Sequence, residues 1–183
     1  KNDSTQERSS IDGIGTIAHV DYDGYRPAPH AKVRSKRLSC TVILTEGFSA
    51  KDLADAGIGE VDKRKFGVLA MRGKLLNTLG TGWAGIMRND FLKILVAVLG
   101  LRPFTDYGDG ERGRRLLRDH LRYGRVMIMA DQDHDGDHIV GLVLAFFDAL
   151  GANFVAQADG VSPFGSFLWR FGTPIVKGEL KKK

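Results

Sequence analysis

Apolar and polar positions along the chain fall into short blocks with abrupt ends. Val126-Met127-Ile128-Met129-Ala130 is rich in β-formers and bounded by polar residues, which fits a buried strand of a parallel sheet better than a helix of that length. Cys40 to Thr45 is a second such run. It ends in Glu46-Gly47 and leads into a predicted helix from Ser49 to Ala56, with Ser49 as its cap. Phe66 to Met71 is a third, followed by the polar break Arg72 to Asn77. Asn89 to Leu99 has a polar start and glycine after it, the pattern of a helix stopped by Gly100. Glu111 to Arg122 resumes a helical period, and Ile139 to Leu150 is apolar on nearly every side, which predicts a buried helix. Thr173 to Lys177 reads as a last strand with Pro174 near its start. Residues 1–37 hold no period for long and read as a linker or irregular arm, and residues 151–172 show no clear period. Strands alternating with helices predict an α/β fold, a parallel sheet flanked by helices, in one domain over residues 38–183.

The strand ends carry the chemistry. Asp131, Asp133, Asp135 and Asp137 crowd into seven residues where one strand stops. In an extended segment, residues two apart point the same way, so Asp131 and Asp133 can converge on one point. Carboxylates this close repel unless a cation sits among them, and oxygen-only ligands favour Mg²⁺, Mn²⁺ or Ca²⁺ over zinc. Glu46 stands at the corresponding edge of its own strand, and in a parallel sheet both edges face one crevice. Read alone, Glu46 is equally an ordinary turn carboxylate. Arg72 and Lys74 follow a third strand and would suit a phosphodiester beside a metal, although surface cations are common. D-x-D-x-D-G also matches the first half of an EF-hand loop, but Leu142 occupies the twelfth position and a strand precedes the loop where a helix is required.

Composition narrows the setting. At 183 residues with a net charge of +5, the chain is long enough for one cored domain and admits an anionic partner without demanding one. The lone Cys40 excludes an internal disulfide and a cysteine zinc site, which suits a reducing compartment. The longest apolar run, Ile139 to Phe147, is far short of the ~20 residues of a membrane span. The chain begins with Lys and has no signal-peptide pattern, so it reads as a piece of something longer. Two basic stretches admit two readings each. Lys32, Arg34, Lys36 and Arg37 fit a solvated linker or a phosphate contact, and Arg112, Arg114, Arg115, Arg118 and Arg122 fit a solvated helix face or a nucleic-acid grip.

Three blocks together, CTVILTEGFSA at 40–50, RGKLLN at 72–77 and LRYGRVMIMADQDHDGDHI at 121–139, resemble the Toprim domain of type IIA DNA topoisomerases. The intervening GIGEVDKRKFGV and the closing TPIVK are more similar to eukaryotic or viral topoisomerase II than to bacterial gyrase. The resemblance implies a Rossmann-like parallel sheet with Mg²⁺ at its C-terminal edge, for which Mn²⁺ or Ca²⁺ could substitute. By that resemblance Glu46, Asp131 and Asp133 are the catalytic metal ligands, Asp135 is a nearby ligand, and Lys74, Asn77 and Arg72 contact double-stranded DNA. The implied enzyme is an ATP-dependent isomerase whose tyrosine, on a winged-helix domain, attacks a DNA phosphodiester and later reseals it. Neither that domain nor the ATPase is expected within this chain, and the full enzyme is expected to be a homodimer, nuclear if eukaryotic and cytoplasmic otherwise. Phe48 stands where the family has Asp, Ala70 where it usually has Pro, and Asp137 where it has a small residue. The competing readings are a Toprim nuclease or primase, and a non-catalytic DNA-binding or assembly module marked by Phe48.

Overall fold

The short apolar runs form the middle of a sheet. A computed structural model describes residues 20–107, 110–151 and 153–172. Strand β1 is Tyr25–Arg26, β2 Thr41–Thr45, β3 Phe66–Ala70, β4 Arg125–Met129 and β5 Leu168–Arg170. Their order is β1-β3-β2-β4-β5. β2, β3, β4 and β5 run parallel, and β1 lies antiparallel on the β3 edge. The α/β fold with a mostly parallel sheet flanked by helices is therefore as the sequence predicts.

Alternation along β2 divides the core between the two faces of the sheet. Ile43 packs with Val68 against Ala54 and Ile58 of helix α1 (Gly47–Ile58). Val42 and Leu44 point to the other face, into a larger cluster with Leu69, Val126 and Ile128. That cluster is closed by α3 (Asp90–Leu99), α4 (Gly110–His120), α5 (His134–Ala149) and α6 (Phe154–Asp159), with the short α2 (Gly82–Ile86) preceding them. Asn89 caps α3 by accepting from Leu92 N at 3.0 Å, and Gly100 ends it in the left-handed conformation at φ 76°.

The helix starts differ from the sequence pattern at two places. α1 begins at Gly47, whose φ of 83° makes the turn out of β2, so Ser49 lies inside the helix. α5 begins at His134, five residues before its apolar run, and takes Asp135 and Asp137 into its first turn. It is also one-sided: Ile139, Leu142, Val143, Phe146 and Phe147 are buried, while Leu144 is 49% exposed.

Residues 20–37 hold β1 and a 3₁₀ turn at Pro29–Lys32 and contribute to the core. Tyr22, Tyr25, Ala28 and Ala31 are buried, and the Tyr25 and Tyr123 hydroxyls meet at 2.9 Å. Burial pushes both phenols upward in pKa, so the pair stays neutral at all working pH values. Residues 151–172 hold α6 and β5, which the sequence left unplaced. Arg125 lies between the rings of Phe164 and Trp169 at 3.8 and 3.9 Å, which ties this segment to β4. The last strand expected at residues 173–177 lies outside the described residues.

Phe147 is fully buried and its ring meets Phe146, Phe154 and Phe167 at centroid separations of 5.0 to 5.5 Å. Phe147→Ala is expected to cost about 3–5 kcal/mol in a denaturant melt. A loss below about 1 kcal/mol would contradict this packing.

Candidate metal centre at the sheet edge

Parallel pairing levels the ends of the three central strands. Thr45 sits beside Ala70 on one side and Met129 on the other. The residues that follow each strand therefore emerge at one edge: Glu46 from β2, Arg72 and Lys74 from β3, and Asp131 from β4. The backbone confirms the closeness of the first and last. Glu46 N donates to Met129 O at 3.2 Å, and Glu46 Oε2 accepts from Asp131 N at 3.4 Å.

The aspartate block crosses from strand to helix at Asp133. Its Oδ1 accepts from Gly136 N at 2.8 Å, which caps α5. Gly136 is required for a steric reason. A Cβ there would land on the carbonyl oxygen of Asp131, so only glycine lets the Asp131 backbone lie against the first turn of α5. The N-termini of α1 and α5 both open at this edge, and their partial positive charge favours the carboxylates gathered there.

Lys74 is the resident cation of the cluster. Its Nζ is 2.8 Å from Asp135 Oδ1. Asp135 raises the Lys74 pKa, with Glu46 and Asp133 adding to the effect, and Lys74 lowers that of Asp135. A carboxylate with a lowered folded-state pKa keeps its partner at neutral pH and releases it as pH falls through that lowered value. Both groups are solvent-exposed, so the tie is easily exchanged.

The remaining predicted residues point elsewhere. Arg72 reaches Asp23 at 3.1 Å and covers the Tyr22 ring at 4.7 Å, away from the aspartates. The Asn77 side chain closes a local turn by accepting from Leu79 N at 3.1 Å. Asp137 pairs with Arg170 at 2.6 Å, a contact from a segment without a period that no sequence signal pointed to. Phe48 is 43% exposed and meets Tyr22 edge-on at 6.4 Å.

The donor set is all carboxylate, which suits a hard divalent cation. Among the described residues, no three metal-capable side chains are already drawn together as a ligand group. Glu46, Asp131 and Asp133 thus share an edge without converging on a point, and Lys74, paired with Asp135, interacts electrostatically with Glu46 and Asp133.

Residues 41–160 match the family described as Toprim domain. The chain is 42% identical over 142 residues to DNA topoisomerase 2, mitochondrial, of Dictyostelium discoideum, covering 78% of this chain and 10% of that protein. It is 38% identical over 183 residues to DNA topoisomerase 2-beta of Gallus gallus, covering 100% of this chain and 10% of that protein. A crystal structure of the Plasmodium falciparum topoisomerase II DNA-binding, cleavage and re-ligation domain superposes with a TM-score of 0.64 at 33% identity, over 84% of this chain and 19% of that one. The chain spans about a tenth of the length of the curated relatives it matches. Toprim domains in general bind divalent metal ions. On the matched span and the parallel sheet with its acidic edge, the chain belongs to the Toprim domain family, and it is similar to the Toprim domains of type II DNA topoisomerases.

Proposed function

We propose that the chain is the metal-binding module of a type II DNA topoisomerase. In this reading Glu46, Asp131 and Asp133 hold Mg²⁺, with Asp135 beside them. The observation that carries the reading is the level edge, where the Glu46 carboxylate lies 3.4 Å from Asp131 N and Lys74 already neutralises Asp135. When bound, the cation supplies Lewis-acid stabilisation of charge on a DNA phosphate and on the leaving 3′ oxygen.

The chain's own residues do the positioning. Asp133 keeps one oxygen on the α5 cap and has the other for the cation, so ligand and helix start are fixed together. With the carboxylates neutralised by a bound cation, Lys74 would be free to exchange Asp135 for a phosphate oxygen. Asn77 and Arg72 extend the DNA-facing surface from the same strand end, Arg72 by leaving Asp23. The attacking tyrosine and the ATPase belong to other domains of the longer protein, which works as a homodimer on double-stranded DNA. A eukaryotic source places it in the nucleus.

Phe48 favours a second reading, a non-catalytic DNA-binding or assembly module, because an exposed ring replaces the family carboxylate beside Glu46. Metal dependence separates the two. Calorimetric titration of Mn²⁺ is expected to show binding to the chain and at least a tenfold weaker affinity, about 1.4 kcal/mol, for the double variant Asp131→Asn with Asp133→Asn. Equal binding by both forms would overturn the metal reading.

Cap and ligand roles of Asp133 separate by substitution. Asp133→Asn is expected to leave thermal stability nearly unchanged, because Asn caps as well as Asp, whereas Asp133→Ala costs about 1 kcal/mol. Both variants should lose Mn²⁺ affinity, and retention of affinity in the Asn form would remove Asp133 from the ligand set. Lys74→Met is expected to move two readouts in opposite directions: Mn²⁺ binding tightens severalfold as the competing ammonium is removed, and DNA binding by anisotropy weakens. A parallel loss of both would contradict the exchange.

A further inference from the structure

The opposite edge of the sheet holds a second charged site of the other sign. Its basic residues come from separate stretches that the fold joins. The turn at Pro29–Lys32 brings Lys32, and the segment leading into β2 brings Arg34 and Arg37. The residues after α3 bring Arg102, and the residues between α4 and β4 bring Arg122. Together they line a concave pocket of about 180 Å³ whose floor is made of small and apolar groups, Ala31, Ala97 and Gly100 among them.

Several of these cations also have partners within the fold. Arg37 donates to the carbonyls of Arg118 and Asp119, which caps the C-terminus of α4. Arg34 meets Asp119 at 3.1 Å, but its side chain is 81% exposed, so that pair is weak and exchangeable. Arg102 and Arg122 have further interactions of their own, and the lining carries one carboxylate, Asp119, and five cationic side chains. The C-termini of α3 and α4 carry about half a negative charge each, which together offset about one of them. The Arg37 Nε–H is buried and has no partner among the described residues. Burial lowers the Arg37 pKa, with smaller contributions from Arg34 and Arg122 and opposition from Asp119.

Gly100 shapes the pocket for this purpose. It has φ 76°, and a Cβ there would run into the Arg122 side chain, so the glycine leaves room for the arginine along the floor. At about 180 Å³ the cavity is smaller than the ~300–1,000 Å³ pockets that enclose drug-sized ligands. It matches a phosphate group better than a whole nucleotide. Arginine forks bind phosphate oxygens in pairs, and several converging on one concavity are the expected recognition chemistry for it.

We propose that this pocket, lined by Lys32, Arg34, Arg37, Arg102 and Arg122, binds a phosphate group at the sheet edge opposite the acidic cluster. The site is independent of the cation, because the acidic cluster stands at the other ends of the same strands. A phosphate held here comes either from a polynucleotide backbone or from a free phosphate ester, and both sources offer the same oxygens.

The test uses the 183-residue chain in metal-free buffer with two probes: pyrophosphate by calorimetry, and a fluorescein-labelled single-stranded oligonucleotide by anisotropy. The double variant Lys32→Glu with Arg34→Glu changes two exposed side chains and should fold normally, as a thermal melt would verify. Arg102→Gln is a second, independent variant. Each is expected to bind at least one probe on the order of tenfold more weakly than the parent chain, with a reduced salt dependence. Weakening of both probes identifies any phosphate ester as the ligand, and weakening of the oligonucleotide alone identifies the polynucleotide backbone. Unchanged binding of both probes by both variants would overturn the proposal. So would a pocket that, by the same variants, holds a polyglutamate peptide and neither phosphate probe.

Discussion

The acidic edge depends on the register of three parallel strands. Because Thr45 is level with both Ala70 and Met129, the first residues beyond each strand share one crevice. A slip of one residue between β2 and β4 would send Ile43 and Val42 to the wrong faces and move Glu46 away from Asp131 at the same time. The apolar core and the carboxylate cluster are therefore set by one constraint. Val42 and Leu44 must reach the large cluster while Ile43 reaches α1, and only one register allows it.

Gathering carboxylates has a cost that the surroundings meet in stages. The amide of Gly136 takes one oxygen of Asp133, and the α1 and α5 N-termini add partial positive charge. Lys74 and Arg170 then pair with Asp135 and Asp137. Glu46 and Asp131 are left without a cationic side chain in these pairings, and they are the residues contributed by the two central strands. In the proposed function a cation would sit at that point, and Lys74 would be the partner that moves.

Much of this was legible in the sequence because the strands are short, apolar and sharply bounded. The blocks at 40–45, 66–71 and 126–130 gave the sheet and so placed Glu46, Lys74 and Asp131 at one edge. The start of α5 was not legible. Asp, His and Gly in sequence look like a loop, and the helix is fixed there by the Asp133 cap and by the fit of Gly136 under the Asp131 carbonyl, both contacts across space. The partners of Arg72 were not legible for a similar reason, since Asp23 and Tyr22 lie in a stretch with no period. Two basic runs that read as separate stretches, each either solvated or a phosphate contact, one around Arg34 and one ending at Arg122, border one pocket, which only the tertiary fold could reveal.

The central claim is that Glu46 and Asp131 share a divalent cation. The direct measurement is anomalous diffraction from crystals of the chain soaked in Mn²⁺. The account predicts an anomalous peak between the Glu46 and Asp131 carboxylates, within bonding reach of Asp133 and with Lys74 turned away from Asp135. A peak elsewhere, or an edge where Lys74 remains on Asp135 and no anomalous density lies between the two carboxylates at saturating Mn²⁺, would contradict it.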